Sequence, residues 1–305
     1  MRLIYQGTDI TDSVDIISAV HRDVSDRRCD GLELTLDHAA AWYGWGPQTD
    51  DTILLTENGY STGTLYLNTI VPEGDSFRIL ATAGKSGTRR KAWASYADKT
   101  LEDIFKQCAA ESGMESRLYG VEGKLTYPYL IRKNEGCAAF LLRLAHQEGA
   151  VLKTVSGRYT AIGVLAAQEL AAGAVITLTA KQQGVTYTRR ENTKYASLTV
   201  KTPYASATAY DEGAAQGESV ILNDLPALDN ATAGRWARGL LLMHNRRAET
   251  LSIESEFNAG FTAMARIDIE SGTDMRGEWM VDEVEHDFIN RKSRAWLYRC
   301  SKTVV

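Results

Sequence analysis

The most constraining feature of this chain is a pair of long alternating segments near its C-terminal end. Residues 277–288 (Gly-Glu-Trp-Met-Val-Asp-Glu-Val-Glu-His-Asp-Phe) and residues 294–300 (Arg-Ala-Trp-Leu-Tyr-Arg-Cys) flank a short polar turn. Alternation of apolar and polar residues is typical of strands with one buried face. The alternation slips at Asp282-Glu283, which predicts a β-bulge there. Such a hairpin needs a larger sheet to join, so the sequence favours a β-rich fold.

Residues 1–92 are predicted to form the first domain, because they carry short alternating segments separated by turns. In residues 32–36, leucine alternates with glutamate and threonine, as in a half-buried strand. Asn58-Gly59 lies between two such segments and favours a tight hairpin. Short strands at this spacing predict a small antiparallel β-barrel or sandwich.

Residues 93–185 change to a helical period and are predicted to be an α/β insert with a connector. A helix is predicted to begin at Thr100, because Asp103 follows three residues later as in a capping box. Asn134 is the predicted N-cap of a second helix. Residues 166–185 are rich in alanine and glycine and are predicted to connect modules.

Residues 186–305 return to strands around a third helix, predicted from Asn230 to His244. Trp236 and Trp279 fall on apolar periods of their segments and are predicted core residues. The predicted fold class is therefore mainly β with an α+β insert. Two small antiparallel β-barrel domains would flank the α/β module.

Composition excludes several classes of protein. With 305 residues, 44% hydrophobic content and 24% charged residues, the chain is typical of a globular protein with two or three modules. A net charge of −5 argues against nucleic acid as the main partner, because nucleic-acid binding requires a clustered basic face. We find no signal-peptide pattern and no apolar run of ~18 residues. We therefore expect synthesis in the bacterial cytoplasm and no membrane insertion by this chain.

The cysteines are scattered, with no C-x-x-C pair and no metal-ligand spacing. We interpret them as reduced, structural thiols: Cys29, Cys108, Cys137 and Cys300.

Motifs that suggest chemistry lack the context they require. Ser61 lies in a G-x-S-x-G segment, but a nucleophile elbow needs a helix after the serine, and a strand pattern follows. His286 lies among acidic residues, yet alternation puts it on the opposite face of its strand from them. We interpret it as a structural histidine packed beside Trp279 or Trp296.

Other candidate groups also favour a non-catalytic interpretation. The adjacent pair Asp50-Asp51 and the spaced pair Glu254 and Glu256 are in no glycosidase-like motif. The segment 42–45 (Trp-Tyr-Gly-Trp) is a candidate contact surface. The sequence predicts no catalytic, cofactor-binding or metal-binding residue.

The C-terminal pattern, Gly277-Glu278-Trp279 followed by a basic turn and an aromatic strand, resembles the C-terminal signature of baseplate hub proteins of contractile phage tails, the late control gene D family. The order of β-domain, α/β insert and β-domain is similar to that family across nearly the whole chain. The resemblance implies two similar barrels per subunit and a homotrimer that presents a pseudo-sixfold ring. It implies no enzyme activity and no cofactor.

The same resemblance implies the partners: the central spike protein, the tail tube or a tube-initiator protein, and baseplate wedge proteins. The implied location is the tail baseplate of a virion or a tail-like particle. Two alternatives remain open from the residues alone. One is a tail-associated cell-wall-degrading enzyme, which needs converging carboxylates or a metal site. The other is a carbohydrate-binding β-protein, which needs aromatic residues exposed on one face.

Overall fold

The computed structural model describes residues 1–37, 44, 46–179 and 182–305. Strands dominate this part of the chain and a few helices accompany them. The predicted mainly β fold with a helix-containing insert is confirmed. Within the described residues, no helix is both long enough and apolar enough to cross a membrane.

The first β-unit is built from the strands that precede the insert. These are β1 (Arg2–Tyr5), β2 (Thr8–Asp9), β3 (Ile16–Val24), β4 (Gly31–Leu36), β5 (Thr52–Glu57), β6 (Tyr60–Ser61), β7 (Leu65–Glu73) and β8 (Ser76–Thr82). Alternate side chains of these strands form one buried core, which includes Leu34, Leu55 and Ile79. The predicted hairpin at Asn58-Gly59 is confirmed, since β5 pairs with β6 across it.

The middle of the chain combines strands and helices. Its elements are β9 (Lys91–Thr100), α1 (Leu101–Glu111), β10 (Glu115–Tyr119), β11 (Thr126–Gly136), α2 (Cys137–Gln147), β12 (Ala150–Val155), β13 (Arg158–Gly163) and α3 (Val164–Gln168). β9 and β11 form a two-stranded ribbon, and β10, β13 and β12 form a three-stranded sheet.

The remaining elements are β14 (Ala172–Leu178), β15 (Val185–Arg189), β16 (Tyr195–Lys201), β17 (Ser206–Tyr210), β18 (Glu218–Leu222), α4 (Asn230–Asn245), β19 (Glu249–Glu256), β20 (Arg266–Ser271), β21 (Gly277–Asp287) and β22 (Lys292–Arg299). We call β14, β15 and β19 to β22 the second β-unit. Its buried core includes Ile253, Ile267 and Trp279.

The two β-units are joined in one sheet of 14 strands within the described residues. The joint is the antiparallel pairing of β3 with β21, in which His21 lies opposite His286. β21 also pairs with β22 and, through its first half, with β20. β21 is therefore the strand on which both β-units depend. The predicted bulge in this strand is confirmed, because its register against β22 shifts between Val281 and Glu283.

A third core lies between the insert and a segment from further along the chain. Residues of α1, α2 and β11 share one buried cluster with residues of β16 and α4, including Trp236. We call residues 91–168 together with 195–245 the mixed unit. The packing thus crosses the predicted boundary at residue 186. Residues 166–185, which were predicted to connect modules, contain β14, and this strand pairs with β20 in the large sheet.

The two predicted helix starts of the insert have different outcomes. The Thr100 side chain accepts a hydrogen bond of 3.1 Å from the backbone N–H of Asp103, so this N-cap is confirmed. Asn134 as the second N-cap is wrong, because β11 continues to Gly136 and α2 begins at Cys137. Asn134 instead has a φ of 49° in a bulge of β11. Asparagine tolerates this left-handed conformation, which its capping preference does not distinguish.

Helix α4 approaches the end of α2 through a glycine. A Cβ atom on Gly239 would lie 2.2 Å from the backbone oxygen of Gln147 and 2.5 Å from the backbone nitrogen of Gly149. Only glycine permits this approach of the two backbones. The contact brings Trp236 beside Tyr127, and both side chains donate hydrogen bonds of 2.8 Å to Glu148.

We predict that Gly239→Ala destabilises the protein by about 1–3 kcal/mol, although alanine favours a helix, because the new methyl group forces α4 away from α2. Gly234→Ala is the matched control in the same helix. Its Cβ would meet nothing closer than 3.7 Å, so it should stabilise the protein by about 0.5–1 kcal/mol. Urea unfolding of both variants measures the difference. Equal effects would refute the close contact.

Candidate functional site

Charged side chains from all three units converge on the loop between β3 and β4. Asp23 is the penultimate residue of β3, Asp26 and Asp30 lie in the loop, and all three are at most 7% exposed. The charged partners come from the mixed unit, from β21 and from residues 246–247, which directly follow α4. We call this set the junction cluster: Asp23, Asp26, Asp30, His146, Lys153, Arg246, Arg247 and Asp282.

Lys153 of β12 is the centre of the first half of the cluster. Its ammonium group donates to Asp23 and, at 2.9 and 3.0 Å, to both carboxylate oxygens of Asp30. It also donates to the backbone oxygen of Val24 at 3.1 Å. Asp23 in turn accepts the backbone N–H of Ala263 at 2.9 Å. One lysine thus ties the mixed unit to the first β-unit, and Asp23 ties both to the loop that precedes β20.

Asp26 and Asp282 form the other half of the cluster. Asp26 accepts hydrogen bonds from His146 at 2.9 Å and from Arg246 at 3.0 Å. Asp282 lies in the bulge of β21 and forms a two-pronged pair with Arg247, at 2.7 and 2.8 Å.

Ser25 and Tyr298 complete this side of the junction. Ser25 donates to Asp282 at 2.7 Å, so the β3–β4 loop is also attached to the second β-unit. The guanidinium of Arg246 lies 5.2 Å from the centre of the Tyr298 ring, a cation–π contact for a cation that is otherwise only partly hydrogen-bonded.

The environment shifts the pKa values of the acidic groups in different directions. Burial raises the pKa of Asp30 to about 7, and the neighbouring Asp23 carboxylate adds to the rise while Lys153 opposes it. Burial would also raise the pKa of Asp23, but Lys153 and its other partners outweigh burial, and the net direction is downward. The pKa of Asp26 and that of Asp282 fall in the same way, because their basic partners outweigh burial. Asp30 is therefore the acid that holds a proton most readily.

The charged groups of the junction cluster are paired with one another across the three units. Each carboxylate accepts hydrogen bonds from a cation, so its oxygen atoms are already engaged within the protein. Within the described residues, no group of three or more His, Cys, Asp or Glu side chains has an arrangement that would hold a metal ion.

A second polar cluster lies where β3 meets β21. His286 contacts the backbone oxygen of Phe261 at 2.9 Å through Nε2 and the hydroxyl of Ser293 at 2.8 Å through Nδ1. His21 contacts the hydroxyl of Tyr60 at 2.9 Å. Burial lowers the pKa of His21 to about 3 and also lowers that of His286, so both rings are neutral near pH 7.

His286 is buried, with its acidic neighbours on the other face of the strand, but its predicted neighbours are wrong. Its ring lies 4.3 Å from that of Tyr60 and 5.1 Å from that of Phe257, and not beside Trp279 or Trp296. Tyr60 comes from the first β-unit, so this aromatic contact also joins the two β-units. Local alternation showed that His286 faces inward, but it carried no signal for a partner more than 200 residues away.

The other sequence candidates are not brought together. Ser61 ends β6, and strand β7 follows it, so no nucleophile elbow forms. Asp50 accepts the backbone N–H of Ser86 at 2.8 Å, and Asp51 accepts that of Gln48 at 2.7 Å. Both carboxylates therefore accept hydrogen bonds from the backbone of turns and loops. Of the spaced pair Glu254 and Glu256, Glu254 forms an ion pair with Lys292 at 3.5 Å. The aromatic residues of segment 42–45 lie outside the described residues.

Sequence reasoning missed the junction cluster, although one signal was present. Lys153 interrupts an apolar run, Ala-Val-Leu-Lys-Thr-Val, whose residues are nearly all buried. A lysine in such a strand requires a buried counter-charge. The acidic loop from Asp23 to Asp30 was the place to look for it.

Two solved structures superpose on this chain almost end to end. The 43 kDa tail protein of prophage MuSo2 from Shewanella oneidensis matches with a TM-score of 0.72 at 12% identity, covering 98% of this chain and 97% of its own. The tail protein from Neisseria meningitidis matches with a TM-score of 0.75 at 9% identity, covering 98% and 95%. This chain has the fold of these tail proteins.

The tail-protein fold extends to a secretion apparatus. An E. coli component of the type VI secretion system, itself structurally similar to the bacteriophage tail proteins gp27 and gp5, matches with a TM-score of 0.55 at 11% identity. That match covers 95% of this chain and 75% of the other. No protein-family model and no curated protein matches the sequence. The likeness is thus one of fold.

We predict that Lys153→Met lowers the free energy of unfolding by about 3–5 kcal/mol near pH 8, because it leaves two buried carboxylates without their shared cation. The loss should shrink near pH 5, because Asp30 is protonated there and burial, no longer opposed by Lys153, also favours a proton on Asp23. Lys124→Met, at an exposed lysine, should change stability by less than about 0.5 kcal/mol. Denaturant unfolding at both pH values tests this. A Lys153→Met protein as stable as the native chain would show that the pair does not hold the junction.

Proposed function

We propose that this chain is the hub subunit of a contractile tail baseplate or of a tail-like injection particle. The observation that carries the proposal is the superposition on two tail proteins, one of them from a prophage, over 98% of this chain and at least 95% of theirs. A match of this extent involves both β-units and the mixed unit together. A match over the whole of both chains is most simply explained by a similar structural role.

The proposed assembly is a homotrimer in which six β-units form a pseudo-sixfold ring. Each chain contributes two β-units with separate buried cores, joined side by side through β3 and β21. Three such chains arranged around an axis would offer six similar positions. A ring of this kind can contact a sixfold tube on one side and a threefold spike on the other.

The proposed partners follow from this position in the particle. They are the central spike, the tail tube or its initiator, and the baseplate wedge proteins. The same fold occurs in a Francisella PdpA–VgrG complex, where chains match with TM-scores of 0.53 and 0.54 at about 10% identity, and the match covers 51–63% of the Francisella chain. The presence of this fold in a two-protein complex supports an assembly with a second protein. The chain would lie in the baseplate of the finished particle.

We propose further that the chain catalyses no reaction. The buried charges of the junction cluster are paired with one another, and the candidate carboxylates Asp50 and Asp51 are held in turns. Ser61 lies in strand β6. Among the described contacts, its side chain accepts a hydrogen bond from the backbone N–H of Gly63 and has no histidine at hydrogen-bond distance. These arrangements support a role in which the polar groups orient structural units.

We predict that the native chain sediments as a trimer and that Val175→Lys yields monomers. Val175 is 63% exposed on β14, which pairs only with β20 among the described strands and thus has an open edge. A stable ring contact buries roughly 2,000 Å² or more per subunit pair, and a charge at an edge strand opposes such pairing.

The matched control is Lys106→Gln on the outer face of α1, where the lysine side chain is 63% exposed and pairs with Glu102 of the same helix. It should leave the trimer intact, as should a polar replacement of Arg143. Analytical ultracentrifugation compares the native chain with the three variants. A native monomer at every concentration, or loss of the trimer in Lys106→Gln but not in Val175→Lys, would contradict the proposed ring.

We also predict that the purified native chain produces no clearing on a peptidoglycan zymogram and no turnover of an ester substrate. The reason is that no carboxylate pair or serine described above is arranged as an acid–nucleophile or nucleophile–base set. A lysozyme lane serves as the positive control. Reproducible clearing by the native protein, lost when Asp50 and Asp51 are both replaced by asparagine, would refute the absence of catalysis.

A further inference from the structure

Two of the four cysteines lie side by side in the core of the mixed unit. Cys108 of α1 is fully buried and Cys137, the first residue of α2, is 3% exposed. Both sulfur atoms contact the same nitrogen, Nη1 of Arg132, at 3.8 Å for Cys108 and 2.6 Å for Cys137. Their shared contact with Nη1 places the two sulfur atoms near each other. They come from different helices and face each other through the geometry of the fold.

The environment of this pair is unusual for thiols that serve only to fill a core. Arg132 is 2% exposed, and a guanidinium in such a place requires a negative partner. Glu111 supplies one, at 2.6 Å from Nη2. The other face of the guanidinium is directed at sulfur, and Nε has no hydrogen-bond partner. The buried cation favours a thiolate at Cys137, whereas the Glu111 carboxylate, 3.5 Å from the same sulfur, opposes it.

The position of Cys137 at the start of α2 acts in the same direction. The free backbone N–H groups and the dipole of a helix N-terminus favour a negative charge at the first residue. The hydrogen bond with Cys108 lowers the pKa of Cys137 to about 7, with Arg132 contributing and burial opposing. The same hydrogen bond, together with burial, raises the pKa of Cys108. One thiol is thus ionised near neutral pH, and its neighbour keeps its proton.

We propose that Cys137 and Cys108 are a redox-active dithiol, with Cys137 as the reactive thiolate and Cys108 as the resolving thiol. This goes beyond the role in a tail particle and does not depend on it. It also revises the interpretation that all the cysteines are only structural. Of the other two cysteines, Cys29 is exposed, and burial raises the pKa of Cys300 to about 12.

The oxidant is a hydroperoxide, of which hydrogen peroxide is the simplest. The Cys137 thiolate attacks one peroxide oxygen, the O–O bond breaks, and the departing hydroxide takes up a proton as water. Cys137 is then a sulfenic acid. The Cys108 sulfur attacks the Cys137 sulfur, the S–O bond breaks, and the Cys108 proton leaves with the hydroxide as a second water. Two thiols lose two electrons in total, and the peroxide gains them.

The disulfide would cross-link α1 to α2 and close a loop that spans residues 108–137 within the mixed unit. Cross-links stabilise chiefly by restricting the unfolded chain. Arg132 would keep Glu111 as its counter-charge after the thiolate is consumed. The oxidised mixed unit should therefore be the more rigid form of the same structure.

The test treats the full chain with hydrogen peroxide near pH 7, denatures it in an alkylating agent, and maps the cysteines by mass spectrometry. We expect a reductant-sensitive link between the peptides that contain Cys108 and Cys137. We also expect the melting temperature to rise by about 5 °C or more. The Cys29→Ser/Cys300→Ser double variant should form the link at the native rate. Oxidation confined to Cys29 and Cys300, or overoxidation of Cys137 without a link, would overturn the proposal.

Two variants test the role of the buried cation. Arg132→Gln should raise the midpoint of the Cys137 thiolate absorbance, obtained as a difference from Cys137→Ser, and should slow link formation about tenfold at pH 7. Since that variant removes a buried charge, Glu111→Gln provides a second measurement on a half-exposed side chain. It keeps Arg132 and removes a competing anion, so the link should form at least as fast as in the native protein. A slower rate in Glu111→Gln would count against the proposal.

Discussion

The contact of Lys153 with Asp23 and Asp30 is the interaction on which the arrangement of this subunit depends. Lys153 lies in the mixed unit, and the two carboxylates lie at the end of β3 and in the loop that follows. β3 is also the strand that joins the first β-unit to β21. A single buried cation therefore holds the mixed unit at the seam between the two β-units, and Asp26 and Asp282 extend the same connection to Arg246 and Arg247.

Buried ion pairs contribute less to net stability than their number suggests, because each charge must first lose its water. In this protein they fix the relative orientation of the units that they join. An apolar contact tolerates sliding, whereas Arg247 meets both oxygens of Asp282 in one orientation only. The proposed ring would need this property, since a small rotation between the β-units would be repeated in every copy. The neutral contacts of His286 with Phe261 and Ser293 fix the same seam without a charge.

Local patterns predicted the local structure well. The cap at Thr100, the helix from Asn230 and the bulge at Asp282-Glu283 depend on neighbouring residues, and all three are present. Asn134 misled because one residue type serves both caps and left-handed bulges. The packing of α4 onto α2 left no local signal, and the junction cluster left only the lysine within a buried strand, because their contacts join residues far apart in the chain. Lys153 and Asp30, for example, are 123 positions apart.

The central claim is that three copies of a two-β-unit chain make a pseudo-sixfold ring. Electron microscopy of the purified native chain, averaged without imposed symmetry and viewed along the ring axis, tests it most directly. We expect a closed ring of three subunits with six similar lobes around a central opening and the three mixed units outside them. A ring with another number of subunits, or a trimer in which the mixed units line the opening and the β-units do not touch, would contradict it.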